Sequence, residues 1–248
     1  MTGLDRRSFL RSVGAASLAS ASAIPASALA QTTVTPDGVP SSQRQEPLYL
    51  FFNAEEAAFV EAACERLIPP DETGPGALEA WVPNYLDKQL GGAWGSGERL
   101  YRSGPWQLGT PSQGYQLPLT PAELFRTAIR AINGGLARRN TSFKELPEAD
   151  RDAYLQGLER GGEDLDGVPS EIFFQMLLQM SVEGYFADPV YGGNKDMLAW
   201  KMIGFPGAYA DYYDLVDKHG VKLEREPMSI GSDRQRKVHV HPEIPASI

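Results

Sequence analysis

Residues 120–132, "TPAELFRTAIRAI", carry the clearest helix signal in the chain. Thr120 suits the N-cap position, Pro121 the first helical position, and Glu123 the third, which completes a capping box. Apolar side chains then recur every three or four positions on one side: Leu124, Phe125, Ala128, Ile129 and Ile132. This pattern predicts an amphipathic helix whose apolar side packs on a protein core.

Similar patterns recur on both sides of this stretch. Asn53 and Glu56 form a close relative of the capping box before an apolar stripe that ends at Pro69 and Pro70. Further helices are expected at 77–90 (broken or kinked by Pro83), 148–160, 170–186 and 208–219. No stretch alternates between polar and apolar residues for long enough to indicate a substantial sheet. We therefore predict an all-α fold, a single irregular bundle of about six helices with long aromatic-rich loops.

The stretch 170–186 differs from the other helices because its apolar residues leave little polar face. A helix that is apolar nearly all round needs cover on nearly all sides. It is either the central helix of the bundle or a helix that partly meets another protein. The single cysteine, Cys64, falls on the apolar stripe of the first helix, so we expect a packed thiol rather than a reactive one.

The N-terminus indicates export. Arg6 and Arg7 lie in "DRRSFLR", an Ala/Ser-rich apolar stretch follows, and "ALA" at 28–30 fits a signal-peptidase site. We expect a twin-arginine signal peptide over 1–30, a flexible linker over 31–47, a helical domain over 48–224 and a polar C-terminal tail over 225–248. This organisation predicts a periplasmic protein.

Composition argues against several functions. The formal net charge is −9, and the leader holds three arginines but one acidic residue, so the remainder is more acidic still. Such a charge argues against binding to nucleic acid or to an anionic membrane surface. One cysteine excludes an all-cysteine iron–sulfur cluster and C-x-x-C-H haem attachment. The pair His239 and His241 lies in the polar tail, where solvated side chains are the simpler interpretation.

The twin-arginine route typically carries enzymes that fold around a cofactor, yet the chain shows no cofactor motif. Gly95-Ser96-Gly97 begins like a dinucleotide fingerprint, but Leu100 replaces the third glycine and no strand precedes it. We predict no catalytic, cofactor-binding or metal-binding residue in this chain.

A long loop over 91–119 holds four large aromatic residues among many glycines and prolines. Loops of this length in a compact domain are usually functional or disordered, and large aromatic side chains argue against disorder. The loop packs on its own domain or supplies aromatic anchors to a partner. Both interpretations stay open for Trp94, Tyr101, Trp106 and Tyr115.

The block over 186–209, "FADPVYGGNKDMLAWKMIGFPGAY", is rich in turn residues. Its Gly-Gly-Asn turn could present backbone N–H groups to an anion. Asn194 or Asp196 as an ordinary helix cap explains the same residues more simply. As a surface that meets a partner, the block contributes the candidate interface residues Tyr191, Gly192, Gly193, Asn194 and Trp200.

Three features together resemble the small subunit (subunit 3, or gamma) of membrane-associated gluconate 2-dehydrogenase and of related FAD-dependent sugar dehydrogenases, including the glucose dehydrogenase gamma subunit. They are the twin-arginine leader, the opening helix "FFNAEEAAFVEAACERLIPPD" and the 186–209 block. The resemblance extends from about Leu48 to Lys218. "GPWQLG", "GYQ" and "LTPAELFR" follow in the expected order between the two blocks.

The resemblance implies that the chemistry belongs to partners. In such complexes a flavoprotein of the glucose–methanol–choline type holds FAD, with or without an iron–sulfur cluster, and oxidises the sugar or sugar acid. A multihaem cytochrome c subunit passes electrons onward. The small subunit is not catalytic: it carries the export signal for the flavoprotein and is needed for its maturation. Membrane contact is expected only through the partners.

Two other classes of function stay open at this stage. A stand-alone periplasmic enzyme would use carboxylates such as Glu183, Asp188 or Asp196, but their spacing does not place a pair reliably on one helical face. A binding or scaffold protein without a dehydrogenase partner is the other class. Bound flavin, metal or turnover in the chain purified alone would favour the enzyme.

Overall fold

The computed structural model describes residues 48–107, 109–110, 116–209, 213–221, 224–232 and 238. The predicted signal peptide, the linker and Tyr115 lie outside these residues. The described residues contain six α-helices and no β-sheet, which confirms the all-α fold class. The helices are α1 (Ala54–Leu67), α2 (Val82–Leu90), α3 (Pro121–Ala137), α4 (Glu148–Arg160), α5 (Ser170–Phe186) and α6 (Leu198–Ile203).

Both predicted capping boxes are present. The Glu123 carboxylate accepts the Thr120 N–H at 2.7 Å, and the Thr120 hydroxyl accepts the Glu123 N–H at 3.2 Å. Asn53 and Glu56 make the same reciprocal pair at 2.9 and 3.0 Å. Each box satisfies N–H groups that the first turn of a helix leaves without a partner, so it fixes where α1 and α3 begin.

Two helix predictions need correction. The second helix begins at Val82, not at Ala77, because Trp81 adopts a left-handed conformation (φ 58°) just before it. Pro83 therefore lies in the first turn of α2, where its missing N–H costs little, and no kink is needed.

The sixth helix is also elsewhere. It spans Leu198–Ile203 and ends at Gly204 (φ 69°), whereas the described part of 208–219 holds only the 3-10 turn Tyr213–Leu215. The Ala208 N–H donates to the Met228 carbonyl at 2.7 Å, and the Tyr209 N–H donates to the Gly207 carbonyl at 3.0 Å. The described start of this stretch is therefore a tight turn bonded to residue 228 and not the first turn of a helix.

The core lies where α1, α3 and α5 meet. Phe173 of α5 contacts Phe125 of α3 and Phe59 of α1, with ring centroids 5.3 and 6.1 Å apart, and Phe59 also contacts Phe143 at 4.9 Å. Helix α5 packs against each of the other five helices. Of the two interpretations left open by the sequence, these contacts support a central helix, and contact of its remaining surface with another protein stays a prediction. Cys64 is fully buried beside Ser181 of α5, as expected, and burial raises the pKa of its thiol to about 12.

The segment that leads into α1 is held by a buried carboxylate. Asp87 of α2 accepts the backbone N–H groups of Leu50, Phe51 and Phe52 at 2.8, 2.9 and 2.8 Å. Arg126 of α3 adds a hydrogen bond to the Phe51 carbonyl at 2.6 Å and lies over the Phe51 ring. Three backbone donors are thus satisfied by one side chain that was not recognised from the sequence.

Ion pairs connect α1 to α4. Arg66 contacts Asp152 at 2.7 Å, and Arg151 contacts Glu65 at 2.9 Å. Both pairs are partly exposed, so each contributes little free energy and mainly fixes the relative position of the two helices.

Candidate partner interface

The 186–209 block begins where α5 ends. Asp188 accepts the Val190 N–H at 3.0 Å and so caps the 3-10 turn Pro189–Tyr191. Gly192 follows with φ 96°, a conformation that glycine adopts without strain, and its N–H donates to the Pro189 carbonyl at 2.9 Å. Since that N–H is already used inside the turn, Gly192 does not offer it to an external anion.

The glycines of the turn allow a close approach to α2 and α5. A Cβ on Gly193 would overlap the carbonyl of Gly184 in α5, and a Cβ on Gly192 would lie 2.8 Å from the Asn84 amide nitrogen. That amide donates to the Gly192 carbonyl at 2.7 Å. The glycine pair therefore lets the backbone lie directly against two helices, which is a structural role.

Asn194 is fully buried and adopts a left-handed conformation (φ 43°), which asparagine tolerates better than most residues. Its side chain accepts the N–H of Ala199, the second residue of α6, at 2.9 Å and donates to the Ala187 carbonyl at 3.0 Å. The N-cap position of α6 is Met197, and the Asn194 side chain supplies the acceptor for a first-turn N–H of α6 from three residues earlier. Asn194 therefore acts on the start of the helix, as an ordinary cap does, without being its N-cap residue.

Trp200 is buried as well. Its indole N–H donates to the Phe186 carbonyl at 2.8 Å, and its ring meets Phe205 edge to face at 5.1 Å. Gly192, Gly193, Asn194 and Trp200 are enclosed by their own chain and shape the block from inside. Their place at an interface stays a prediction. Among the candidate residues of the block, Tyr191 has an exposed side chain. Phe186, Ile203 and Phe205 of the same block are exposed as well.

Trp94, Tyr101 and Trp106, the described aromatic residues of the 91–119 loop, are all exposed. The indole of Trp94 lines a cavity of about 570 Å³ against Ile172, Met176 and Met180 of α5. Tyr101 and Trp106 line a second cavity of about 240 Å³, and Tyr101 is 79% exposed. The loop therefore packs partly on its own domain and still presents aromatic surface, and its role at an interface stays a prediction.

An uncovered apolar stripe on α5 was not resolved from the sequence. Leu178, Val182 and Phe186 are 36%, 45% and 40% exposed. Their spacing of four residues places them on one line along the helix. The opposite side of α5 is buried in the core, so α5 is central to the bundle and also presents an apolar face to the outside. Both sides of 170–186 are apolar in sequence, so a helical wheel does not show which side faces the core and which is exposed.

Two of the three carboxylates considered for a stand-alone enzyme, Glu183 and Asp188, bond to different neighbours. Glu183 accepts the Gln179 amide at 2.7 Å and the Tyr85 hydroxyl at 3.5 Å. Burial, with a smaller contribution from Glu183, raises the pKa of Tyr85 to about 12. Asp188 accepts the Ile230 N–H at 2.8 Å and the Ser229 hydroxyl, in addition to the Val190 N–H. These hydrogen bonds place both groups in the framework of the fold.

Part of the expected polar tail from residue 225 lies against the fold. Residues 226–231, here called the C-terminal segment, lie along the end of the 186–209 block, and Ser229 is buried there. Sequence reasoning missed this contact because no local pattern connects Ser229 to Asp188.

Among the residues that the structure describes, no group of three or more His, Cys, Asp or Glu side chains could hold a metal ion. In the same part of the chain, no helix is long and apolar enough to cross a membrane.

Comparison with known proteins identifies one relationship. No curated protein and no solved structure matches the chain significantly. The family model described as gluconate 2-dehydrogenase subunit 3 matches residues 54–207, which run from the first residue of α1 to Gly207 of the 186–209 block. Since this match covers more than half of the chain, the protein belongs to the gluconate 2-dehydrogenase subunit 3 family.

Proposed function

We propose that this chain is the non-catalytic small subunit of a periplasmic, membrane-associated FAD-dependent dehydrogenase complex that oxidises a sugar or sugar acid. The observation that carries the proposal is the family match over residues 54–207, because the family is named as a subunit of gluconate 2-dehydrogenase. The partner is a flavoprotein of the glucose–methanol–choline type, and a multihaem cytochrome c subunit accepts the electrons.

The uncovered apolar surface supports a role as a subunit. The stripe of Leu178, Val182 and Phe186 lies on the central helix of the bundle, where an exposed apolar face has no structural use of its own. Contiguous exposed apolar surface in soluble proteins commonly marks an interaction site. Aromatic side chains of the 91–119 loop, Trp94 and Trp106, add anchors of the type that dominates binding energy at interfaces.

The hydrogen bonding of the 186–209 block supports placing the cofactors in the partners. FAD carries a pyrophosphate that proteins bind with free backbone N–H groups. The N–H groups of Val190, Gly192 and Lys195 already donate within the chain, to Asp188, Pro189 and Ala80. These three N–H groups are therefore already used within the chain, and we assign FAD and haem c to the flavoprotein and the cytochrome.

The leader supports a role in export. Twin-arginine transport accepts folded proteins, so one signal on this subunit serves a flavoprotein that has bound FAD in the cytoplasm. In this account the small subunit folds against the flavoprotein, helps it mature and carries it to the periplasm.

The test is purification of the tagged full chain from its native host. We expect flavin absorbance, a haem c spectrum and sugar-dependent dye reduction in the purified complex, all lost together when the subunits are separated under high salt and mild detergent. A chain that purifies alone and itself oxidises a sugar would favour the stand-alone enzyme. A chain that brings down neither flavin nor haem would favour a scaffold with another partner.

A further inference from the structure

The C-terminal segment (residues 226–231) is bonded to the 186–209 block along its length. The Met228 N–H donates to the Pro206 carbonyl at 3.1 Å, and the Met228 carbonyl accepts the Ala208 N–H at 2.7 Å, which forms a parallel bridge. The Tyr209 hydroxyl donates to the Glu226 carbonyl at 2.8 Å. The segment is thus held by backbone pairing, which does not depend on the identity of exposed side chains.

Asp188 connects this segment to the glycine turn. One of its oxygens accepts the Val190 N–H at 3.0 Å and the Ser229 hydroxyl, and the other accepts the Ile230 N–H at 2.8 Å. Ser229 is buried, and its hydroxyl oxygen accepts the Gly231 N–H at 3.0 Å. The carboxylate that begins the Pro189–Tyr191 turn therefore also holds the C-terminal segment, so neither part can move away without leaving partly buried polar groups unpaired.

Gly207 leaves the space that the backbone of the C-terminal segment occupies at Met228. Its φ is 78°, and a Cβ there would overlap the Met228 carbonyl and lie 2.8 Å from the Trp200 ring. Gly204, three residues earlier, has a similar φ of 69° but nothing within 4 Å of an added Cβ. Both positions favour glycine for backbone reasons, but only Gly207 needs the absence of a side chain to make room for Met228.

We propose that the C-terminal segment is a strap, a stretch of chain bonded across the 186–209 block, that holds this block in the conformation that docks the flavoprotein. Asp188 is the positioning residue. This inference rests on the proposed function. It extends the docking unit past residue 207, where the family match ends. The strap acts through the block: it fixes the turn that presents Tyr191 and the Trp200–Phe205 corner, while Ile230 itself points outward and is exposed.

The test compares Gly207→Ala with Gly204→Ala in the tagged full chain expressed with its natural partners. Both substitutions place alanine in a left-handed conformation, but only the first displaces Met228. Hydrogen exchange at the amides of Met228 and Ile230 reports closure of the strap, and flavin absorbance retained on the tagged subunit reports docking. Ser229→Ala is a third variant, which removes the hydroxyl bonded to Asp188 without any change in backbone conformation.

We expect Gly207→Ala to speed exchange at both amides about tenfold or more, and to lower retained flavin about fivefold or more, relative to Gly204→Ala. Ser229→Ala should change both readouts in the same direction and by less. Wild-type exchange in Gly207→Ala would overturn the strap, and faster exchange with unchanged flavin would overturn its role in docking. If the wild-type subunit retains no flavin although its strap amides are protected, the proposed function fails and the docking role of the strap fails with it.

Discussion

Asp87 offers the sharpest test of how the bundle is held together. The residue is 1% exposed, and its carboxylate accepts three consecutive backbone N–H groups, from Leu50, Phe51 and Phe52. Oδ1 accepts the Phe51 and Phe52 donors, and Oδ2 accepts the Leu50 donor. Asp87→Ala removes all three acceptors. Asp87→Asn keeps one oxygen, which can still serve Phe51 and Phe52, and turns an NH2 group toward Leu50.

The magnitudes follow from which donors water can reach. A buried polar group without a partner costs about 1–3 kcal/mol. Phe52 is buried and Phe51 is half-buried, whereas Leu50 is exposed and its N–H can turn to solvent. Asp87→Ala should therefore lower the free energy of unfolding by about 3–5 kcal/mol, and Asp87→Asn by about 1–2 kcal/mol.

Urea unfolding of the full chain, followed by circular dichroism at the helix band, measures both values. Asp152→Ala is the matched control, because it removes an aspartate whose partner, Arg66, lies in a partly exposed ion pair, and it should cost less than about 1 kcal/mol. If Asp87→Ala costs no more than this control, or if the alanine and asparagine variants are equal, the carboxylate does not anchor the segment and the reasoning fails.

Three further predictions concern the surface and the core. Val182→Lys should reduce the flavin that co-purifies with the subunit about tenfold or more, while the melting temperature stays near wild type. The control Val221→Lys, at an exposed valine outside α5, should leave both quantities unchanged. Equal loss of flavin in the two variants would show that the α5 stripe is not part of the interface. Trp106→Ala should weaken flavoprotein binding by about 2 kcal/mol or more with helical content intact by circular dichroism, whereas a loss of helix would make Trp106 a core residue. Burial raises the pKa of the Cys64 thiol from 9.0 to about 12, so the unfolded chain loses this proton at lower pH than the folded chain does. The stability that the protonated thiol contributes is therefore complete below pH 9 and should be lost as the pH rises to about 12. The urea midpoints of unfolding at about pH 8 and about pH 10 should therefore differ less in Cys64→Ala than in wild type. An equal difference in the two proteins would contradict the raised pKa of the buried thiol.

The sequence was most informative where structure depends on neighbours in the chain. Thr120 with Glu123, and Asn53 with Glu56, lie three residues apart, so the starts of α3 and α1 could be predicted from local chemistry alone. The burial of Cys64 followed in the same way from the apolar stripe on α1. These features need no information about which helices meet.

Features that join distant parts of the chain were missed. Asp87 and Phe52 are 35 residues apart, and Asp188 and Ser229 are 41 apart, so no local pattern indicates either contact. A third long-range contact, between Ala208 and Met228, ties the first residue of 208–219 to the C-terminal segment. The described part of 208–219 accordingly holds no α-helix, although its sequence pattern is helical. The hydrogen bonds by which Trp200 and Asn194 hold the block from inside join residues 14 and 5 positions apart, and the sequence did not indicate these pairings.

In the proposed function, this chain carries a cofactor-bearing partner across the inner membrane. The most direct measurement is the location of the flavoprotein in cells that express Arg6→Lys, Arg7→Lys in place of the wild-type subunit, read by immunoblot and by FAD content of periplasmic and cytoplasmic fractions. The account predicts that both this subunit and FAD-loaded flavoprotein stay in the cytoplasm, with an unrelated Sec-exported protein unaffected. Flavoprotein in the periplasm at wild-type amounts, while the variant subunit remains behind, would contradict it.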